Sequence, residues 1–387
     1  GGILSTFWAN WYDMQVKTVQ HGAGERGKRS RAHGELVCGP ETLSEETLSA
    51  NRCDFGSEIR AHPLDDDYHK ARSPDWSKVT VPFLSAANWG GQGLHPRGNF
   101  EGFMRAASKE KWLEAHGIEH WTHFYTDYGR EMQLRFFDHF LHGKKNRWNR
   151  QPRVLLQVRH PDRFVERAEN EWPLKRTRWT KFYLQANGTL AATAFGKPAK
   201  VSFPAMGDGV TFLTPPLDRE TEVTGPSALK VFVSSSTRDA DLFAVLRVFS
   251  PDLKEIVFQG AIDPHTPVAQ GWLRASHRKL DPELTRAYRP YHAHDEVQPL
   301  EPGVVTTVDI EIWPTSLVIP AGHRIAFTVR GTDLFADRDP FRPESFGPGH
   351  IMHDDPEDHP RDPFGGTVRV HTGGAYETYV LLPVIPG

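Results

Sequence analysis

Cysteine is nearly absent: Cys38 and Cys53 are the two thiols in 387 residues. Two cysteines cannot build a disulfide framework, and theirs is not the CxxC spacing of a redox or zinc site. Both are expected to be reduced and buried, in a cytoplasmic setting. Cys38 follows the apolar "ELV", yet with no histidine paired to it in the sequence it reads as a packed thiol rather than a nucleophile. No run of about 18 apolar residues occurs, which excludes a membrane-spanning helix. An excess of positive charge is missing too, since 46 Lys and Arg face 49 Asp and Glu for a net charge of -3. Nucleic acid is therefore not an expected partner, because a grip on phosphates needs clustered, unpaired cations. The basic run "ERGKRSR", Glu25 to Arg31, sits among Gly and polar residues and reads as a solvated loop. There is no repeat of fixed period and no biased segment beyond the loop "DDPEDHPRD". The opening "GGILSTFWANWY" shows no initiator Met, charged leader or cleavage site, and reads as the interior of a longer protein.

The length allows two cores, since one core seldom grows past roughly 250 to 300 residues. Up to about Gly143, short apolar runs alternate with helical patterns. "TVPFLSAAN" (Thr80 to Asn88) reads as a buried strand arriving at a loop. "NFEGFMRAAS" spaces Phe100, Phe103, Met104 and Ala107 as one helix face, closing near Ser108, and "KWLEAH" is a second strand. "GREMQLRFFDHFLHG" predicts a helix with Met132, Phe136, Phe137, Phe140 and Leu141 on one face and Gly143 as its cap. Strand, helix, strand, helix is the order of a parallel sheet covered by helices. The segment Tyr12 to Asp75 is Gly-rich and weakly periodic, with a helix expected in "GPETLSEETLSANR". After "RWNRQPRVLLQVR" the period changes to two: "ALKVFVSS", "LFAVLRVFS", "EIVFQGAI", "TTVDIEIW", "RIAFTVR", "GTVRVHTGG" and "YETYVLLPV" predict short two-sided strands. The fold class is thus α/β plus all-β, with residues 1–150 an α/β part and residues 151–387 a Greek-key or jelly-roll β-sandwich.

"KWLEAHGIEHWTHFY" places His116, His120 and His123 just past a strand, where loops at the carboxyl edge of a parallel sheet carry functional groups. The H-x3-H-x2-H spacing is conceivable for zinc, but a strand-to-loop segment offers no fixed face like that of HExxH on a helix. No metal or other cofactor is therefore assigned. "HAH" at His292 to His294 and "GHIMHDD" at His350 to Asp355 read as polar loops. A function of a different class, carbohydrate binding by the β-domain, would use Trp272 with Tyr288 and Tyr291 as a platform; the plainer reading packs these aromatics between the domains.

The stretch from "VPFLSAANWGGQGLHPRGNFEGFMRAASKEKWLEAHGIEHWTHFYTDYGREMQLRFFDHFLHGKKNRW", with "GWLRASHRKLDP" and "LVIPAGHRIAFTV", resembles the CocE/NonD hydrolases, the cocaine esterase and Xaa-Pro dipeptidyl-peptidase type. The resemblance covers essentially the whole chain. It implies a serine hydrolase with an α/β-hydrolase core, an inserted helical cap and a jelly roll resembling a galactose-binding fold. It implies a small ester, amide or peptide substrate cleaved through an acyl-enzyme, and leaves self-association open. The family's acid follows a Trp in a Trp-Tyr-Asp-like motif; here the Trp is Trp89 and the acid position falls on Gly91, which has no carboxylate. The catalytic His position falls on His120, with His116 as alternative and His123 as a loop residue beside Tyr125. Either another carboxylate, such as Glu119 or Glu101, orients the imidazole, or this branch of the family works poorly or not at all. The family's G-x-S-x-x-G elbow does not occur in the sequence: Ser227 in "GPSAL" is expected to open a β-domain strand, and Ser85 has no glycines placed for a sharp turn. The resemblance therefore describes a carboxyl-terminal portion without the nucleophile.

Overall fold

The computed structural model describes all residues except 6, 8–10, 119, 261–265, 335–352 and 354. They form two compact units, one of residues 1, 73–340 and 360–387, the other of residues 2–72 and 341–359.

In the larger unit the apolar run before Asn88 forms β1 (Phe83–Asn88), and "KWLEAH" forms β2 (Lys111–His116). They pair in parallel from Phe83↔Lys111 to Asn88↔His116. Helix α1 (Pro96–Arg105) connects them; it opens on Pro96, whose missing N–H has no partner to lose in a first turn, and ends at Arg105, short of Ser108. Beyond β2 the chain forms a short α2 (His120–Tyr125) and then α3 (Asp127–Phe140), where the Thr126 side chain accepts from the Gly129 N–H. The apolar stripe of α3 is narrower than its sequence suggests. Met132 and Phe136 are buried with Phe140 beside them, at i, i+4, i+8, whereas Phe137 and Leu141, one step round the helix, are 51% and 72% exposed.

The period of two sorts β2 between two cores. Leu113 and Ala115 pack with Trp89, Phe100 and Phe103 on the α1 side. Trp112 packs with Met132, Phe136 and Trp148 on the α3 side. Glu114 and His116, in step with Trp112, share that second face.

β3 (Val154–Arg159) joins β2 in parallel, and β4 (Phe164–Glu169) returns along it. The remaining strands are β5 (Arg178–Leu184), β6 (Leu190–Ala191), β7 (Ala199–Pro204), β8 (Val210–Leu213), β9 (Thr221–Ser235), β10 (Asp241–Phe249), β11 (Ala269–Arg274), β12 (Thr306–Ile319), β13 (Arg324–Arg330), β14 (Thr367–Thr372) and β15 (Tyr379–Ile385). One sheet of 11 strands runs β1-β2-β3-β12-β9-β15-β5-β6, with β4, β7 and β14 off that path; a second of four runs β11-β10-β13-β8. Their facing sides share the main core, in which Val231 and Ile310 meet Leu246 and Phe327. Most of the period-two segments are strands as expected. "EIVFQGAI" is not: residues 255–260 carry only the isolated bridges of Glu255 to Phe249 and Phe258 to Thr266, and its last two residues lie outside those described. Ser227 does not open a strand but lies fully buried within β9, which begins six residues earlier at Thr221. The registers of β12 and β15 against β9 both shift near Gly225, where β9 carries Pro226, β12 Pro314 and β15 Pro383. Each lacks the N–H a ladder needs, so the pairings break at a common level.

The α/β strands meet the antiparallel ones through a single pair, Leu317↔Arg159. The Arg159 side chain spans this joint, donating to the Ser316 carbonyl at 3.2 Å, the Val268 carbonyl at 3.0 Å and Thr315 Oγ1. The residue is 1% exposed, and its guanidinium lies over the Phe258 ring. Burial pushes its pKa down to about 9, so it remains cationic at neutral pH.

The smaller unit holds short helices with side-chain N-caps: Glu45–Ala50 capped by Ser44, Phe55–Ala61 by Asp54 and Asp67–Lys70 by Asp66. The first is the helix expected in "GPETLSEETLSANR". Arg60 pairs with Asp355. Cys38 is buried, as expected, but Cys53 is exposed. No described helix is long and apolar enough to cross a membrane.

Two outcomes are expected. Arg159→Leu removes a buried charge but strands the Ser316 carbonyl, and the second effect prevails; urea unfolding is expected to show a loss of about 2 kcal/mol. An unchanged midpoint would mean that desolvation cancels the bonds. Further, β1 ends the sheet order, and Phe124 and Phe137 nearby are 53% and 51% exposed. Chain 1–387 is expected to self-associate, read by light scattering against concentration, with a monomer at all concentrations contradicting this.

Candidate active site

β2 delivers its last residues to the carboxyl edge of the parallel strands. Two residues apart on one strand face, Glu114 and His116 can reach each other, and His116 Nδ1 lies 2.9 Å from Glu114 Oε2. Both side chains are buried. From α3 the Tyr128 hydroxyl donates to Glu114 Oε1 at 3.3 Å. Burial, followed by the nearby Glu114 and Glu166, pushes the Tyr128 pKa up, so the phenol keeps the proton it donates. A carboxylate only accepts, so His116 Nδ1 donates; its Nε2 is buried and has no hydrogen-bond partner among the described residues.

After His116 the backbone turns sharply. Gly117 leaves no room for a side chain, since an added Cβ would come within 2.4 Å of the Phe164 ring. Ile118 adopts φ 42°, a left-handed conformation that is costly for a β-branched residue. This turn leads to His120, which opens α2 instead of lying in a loop. His120 is half-buried, with its ring 4.5 Å from that of His95. Burial, then the neighbouring imidazoles of His95 and His116, holds its pKa below the ordinary histidine value, which keeps it neutral at pH 7. The His123 ring lies 4.7 Å from that of His116, tilted against it by 51°. His116, His120 and His123 thus line one cavity of about 580 Å³, walled by Phe83, Met132, Phe136 and other apolar side chains. A neutral imidazole in such a cavity can accept a proton, the task of a general base.

The carboxylates suggested by the sequence are placed elsewhere. An added Cβ on Gly91 would lie 2.7 Å from Asn88 Oδ1, and the Asn88 amide donates to the Ile118 carbonyl at 3.3 Å. An acid at Gly91 would thus displace a side chain that braces the turn. Glu101 is buried against Arg289, with Arg105 at 3.7 Å. Glu119 lies outside the described residues. His120 Nδ1 has no hydrogen-bond partner among them, and the carboxylate-backed imidazole in the cavity is His116. The strand text "EAH" carried the signal for that pair as an i, i+2 match; Tyr128, which completes it, comes from a different element. Trp89 is a core residue with its indole N–H on the Gln157 carbonyl. Ser85 bonds to Asn99 from within β1.

Comparison with known proteins places this geometry. Residues 146–381 match the X-Pro dipeptidyl-peptidase C-terminal non-catalytic domain. A solved CocE/NonD family hydrolase from Staphylococcus aureus is 30% identical with a TM-score of 0.80, over 88% of this chain and 60% of that one. Cocaine esterase from a Rhodococcus species is 26% identical over 66% of this chain and 45% of its own length. A solved alpha-amino acid ester hydrolase, 15% identical with a TM-score of 0.64 over 99% of this chain and 69% of that one, shares the fold. The chain spans less than half the length of the curated relatives it matches.

The other histidines have structural partners. His292 Nε2 donates to the Asp309 carbonyl at 2.8 Å, and His294 Nδ1 lies 3.1 Å from His277 Nδ1. In "GHIMHDD", His350 and Asp354 lie outside the described residues, and His353 and Asp355 are buried. Among the described residues no group of three or more His, Cys, Asp or Glu is placed to hold a metal ion. Burial first, and nearby positive groups second, lower the His292 pKa to about 4 and that of His294 further. Each folded value lies below the unfolded one of about 6.5, so the unfolded chain takes up protons first as pH falls. The associated stability is complete above pH ~6.5 and drains away toward pH ~4, by about 3 kcal/mol for His292. His292→Gln is expected to flatten this part of the unfolding profile; an unchanged slope would refute the assignment.

Proposed function

The chain belongs to the CocE/NonD family, carrying its X-Pro dipeptidyl-peptidase C-terminal non-catalytic domain over residues 146–381, and from that premise we propose that it works in a serine hydrolase cleaving small ester, amide or Xaa-Pro peptide bonds. In this reading residues 1–150 are part of an α/β-hydrolase domain with its cap segment, and residues 151–387 form the jelly roll. The nucleophilic serine comes from a segment outside residues 1–387, since no G-x-S-x-x-G turn occurs within them.

His120 is the general base. As the serine oxygen bonds to the carbonyl carbon, His120 takes the hydroxyl proton. The tetrahedral adduct then collapses, the bond to the leaving group breaks, and His120 returns the proton to the departing alcohol or amine. A water, deprotonated by the same imidazole, hydrolyses the acyl-enzyme. The observation that carries this reading is a half-buried, neutral-tending imidazole at the carboxyl end of a parallel strand, lining a cavity sized for a small substrate. The carbohydrate alternative has less support, since Tyr288 stacks on Trp179 and Trp272 packs against Trp313.

The test is co-expression of residues 1–387 with a CocE/NonD segment bearing the serine turn, assayed on a nitrophenyl ester. Turnover is expected only from the pair, and a fluorophosphonate probe should leave residues 1–387 unlabelled. His120→Ala is expected to lower kcat by about 10²- to 10⁴-fold. Because the folded pKa of His120 is depressed, the base stays active to more acid pH, and the acid limb of kcat/KM should lie below ~6.5. Stoichiometric labelling of residues 1–387 alone, or full turnover in His120→Ala, would sink the proposal.

A further inference from the structure

Some polar groups around the cavity are engaged within the protein. Tyr128 donates to Glu114, and the Gln133 amide nitrogen donates to the Phe124 and Gly129 carbonyls. Two imidazole nitrogens in the cavity, His116 Nε2 and His120 Nδ1, have no hydrogen-bond partner among the described residues, and of the two rings His116 is the one whose other nitrogen meets a carboxylate there. Its side chain is 5% exposed and lines the cavity, with Nδ1 fixed on Glu114. With Glu114 holding the proton on Nδ1, Nε2 presents a lone pair. Among the described residues no Lys or Arg lines the cavity to attract an anion, and most of the wall is aromatic or aliphatic. A volume of about 580 Å³ fits one ring or branched alkyl group with room to spare.

We propose that this cavity recognises an aromatic or branched apolar group carrying a hydroxyl or amine hydrogen, which His116 Nε2 accepts, with Glu114 and Tyr128 as positioning residues that hold the tautomer. The inference rests on the hydrolase reading only in calling that group a part of the substrate. Binding itself needs no turnover.

The test uses residues 1–387 with benzyl alcohol and benzyl methyl ether, two probes alike in their ring but only one of which donates. Calorimetry is expected to show the alcohol bound about 3- to 10-fold more tightly, the contribution of one neutral hydrogen bond. His116→Phe is expected to abolish this preference while the ether affinity stays within about 2-fold, because the wall remains apolar. Should that variant fail to fold, nitrogen NMR of the wild type provides the reading: the His116 Nε2 resonance moves on saturation with the alcohol and not with the ether. Equal affinities, no binding of either probe, a preference that survives His116→Phe, or an unmoved resonance would each overturn the proposal. No esterase activity from the co-expressed pair, alongside an intact alcohol preference in residues 1–387, would overturn the hydrolase reading alone.

Discussion

A buried cation, Arg159, holds together the two kinds of sheet in this protein by hydrogen bonds to carbonyls and a hydroxyl. Three parallel strands meet the antiparallel array at the single pair of Leu317 and Arg159, too little ladder to fix their relative twist. Arg159 supplies the missing definition by reaching two carbonyls and a hydroxyl beyond the joint. A planar guanidinium suits this use because its donors are fixed in a fork, whereas an ammonium would satisfy them less directionally. The position of β3 sets that of β2, and β2 carries Glu114, His116 and the turn to His120. The site at the carboxyl edge thus inherits its placement from a contact on another strand.

Local order was readable from the residues. The apolar run ending at Asn88, the "KWLEAH" strand and the helix between them follow from periodicity and from Pro96 in the first turn. The α3 stripe was overdrawn, because the pattern shows which residues are apolar but not how wide a face the sheet will cover. Long-range features were not legible. Nothing near Arg159 announces that its partners lie more than a hundred residues on. Likewise nothing in the sequence tells that Pro226, Pro314 and Pro383 align across three strands, where they coexist inside continuous strands with a common shift of register.

The same contrast holds at the site. The family pattern directs attention to Gly91 and His120, and the geometry explains why Gly91 stays bare: Asn88 fills the space and braces the turn. Where the pattern would bring a carboxylate and an imidazole together across two loops, the structure shows a different pair along one strand, Glu114 and His116, which alternation alone brings together. Residue type and spacing were both visible there. What was hidden was burial, which comes from α3 and turns a surface-like pair into an interior one.

Ile118 gives the site a further property. Its main chain is wound against the habit of its own branched side chain, and the neighbouring Gly117, pressed on Phe164, keeps it from unwinding. A twist is thus wound into the main chain two residues before His120 and pinned from outside by the Asn88 amide on the Ile118 carbonyl, so that loosening either Gly117 or Asn88 would slacken it.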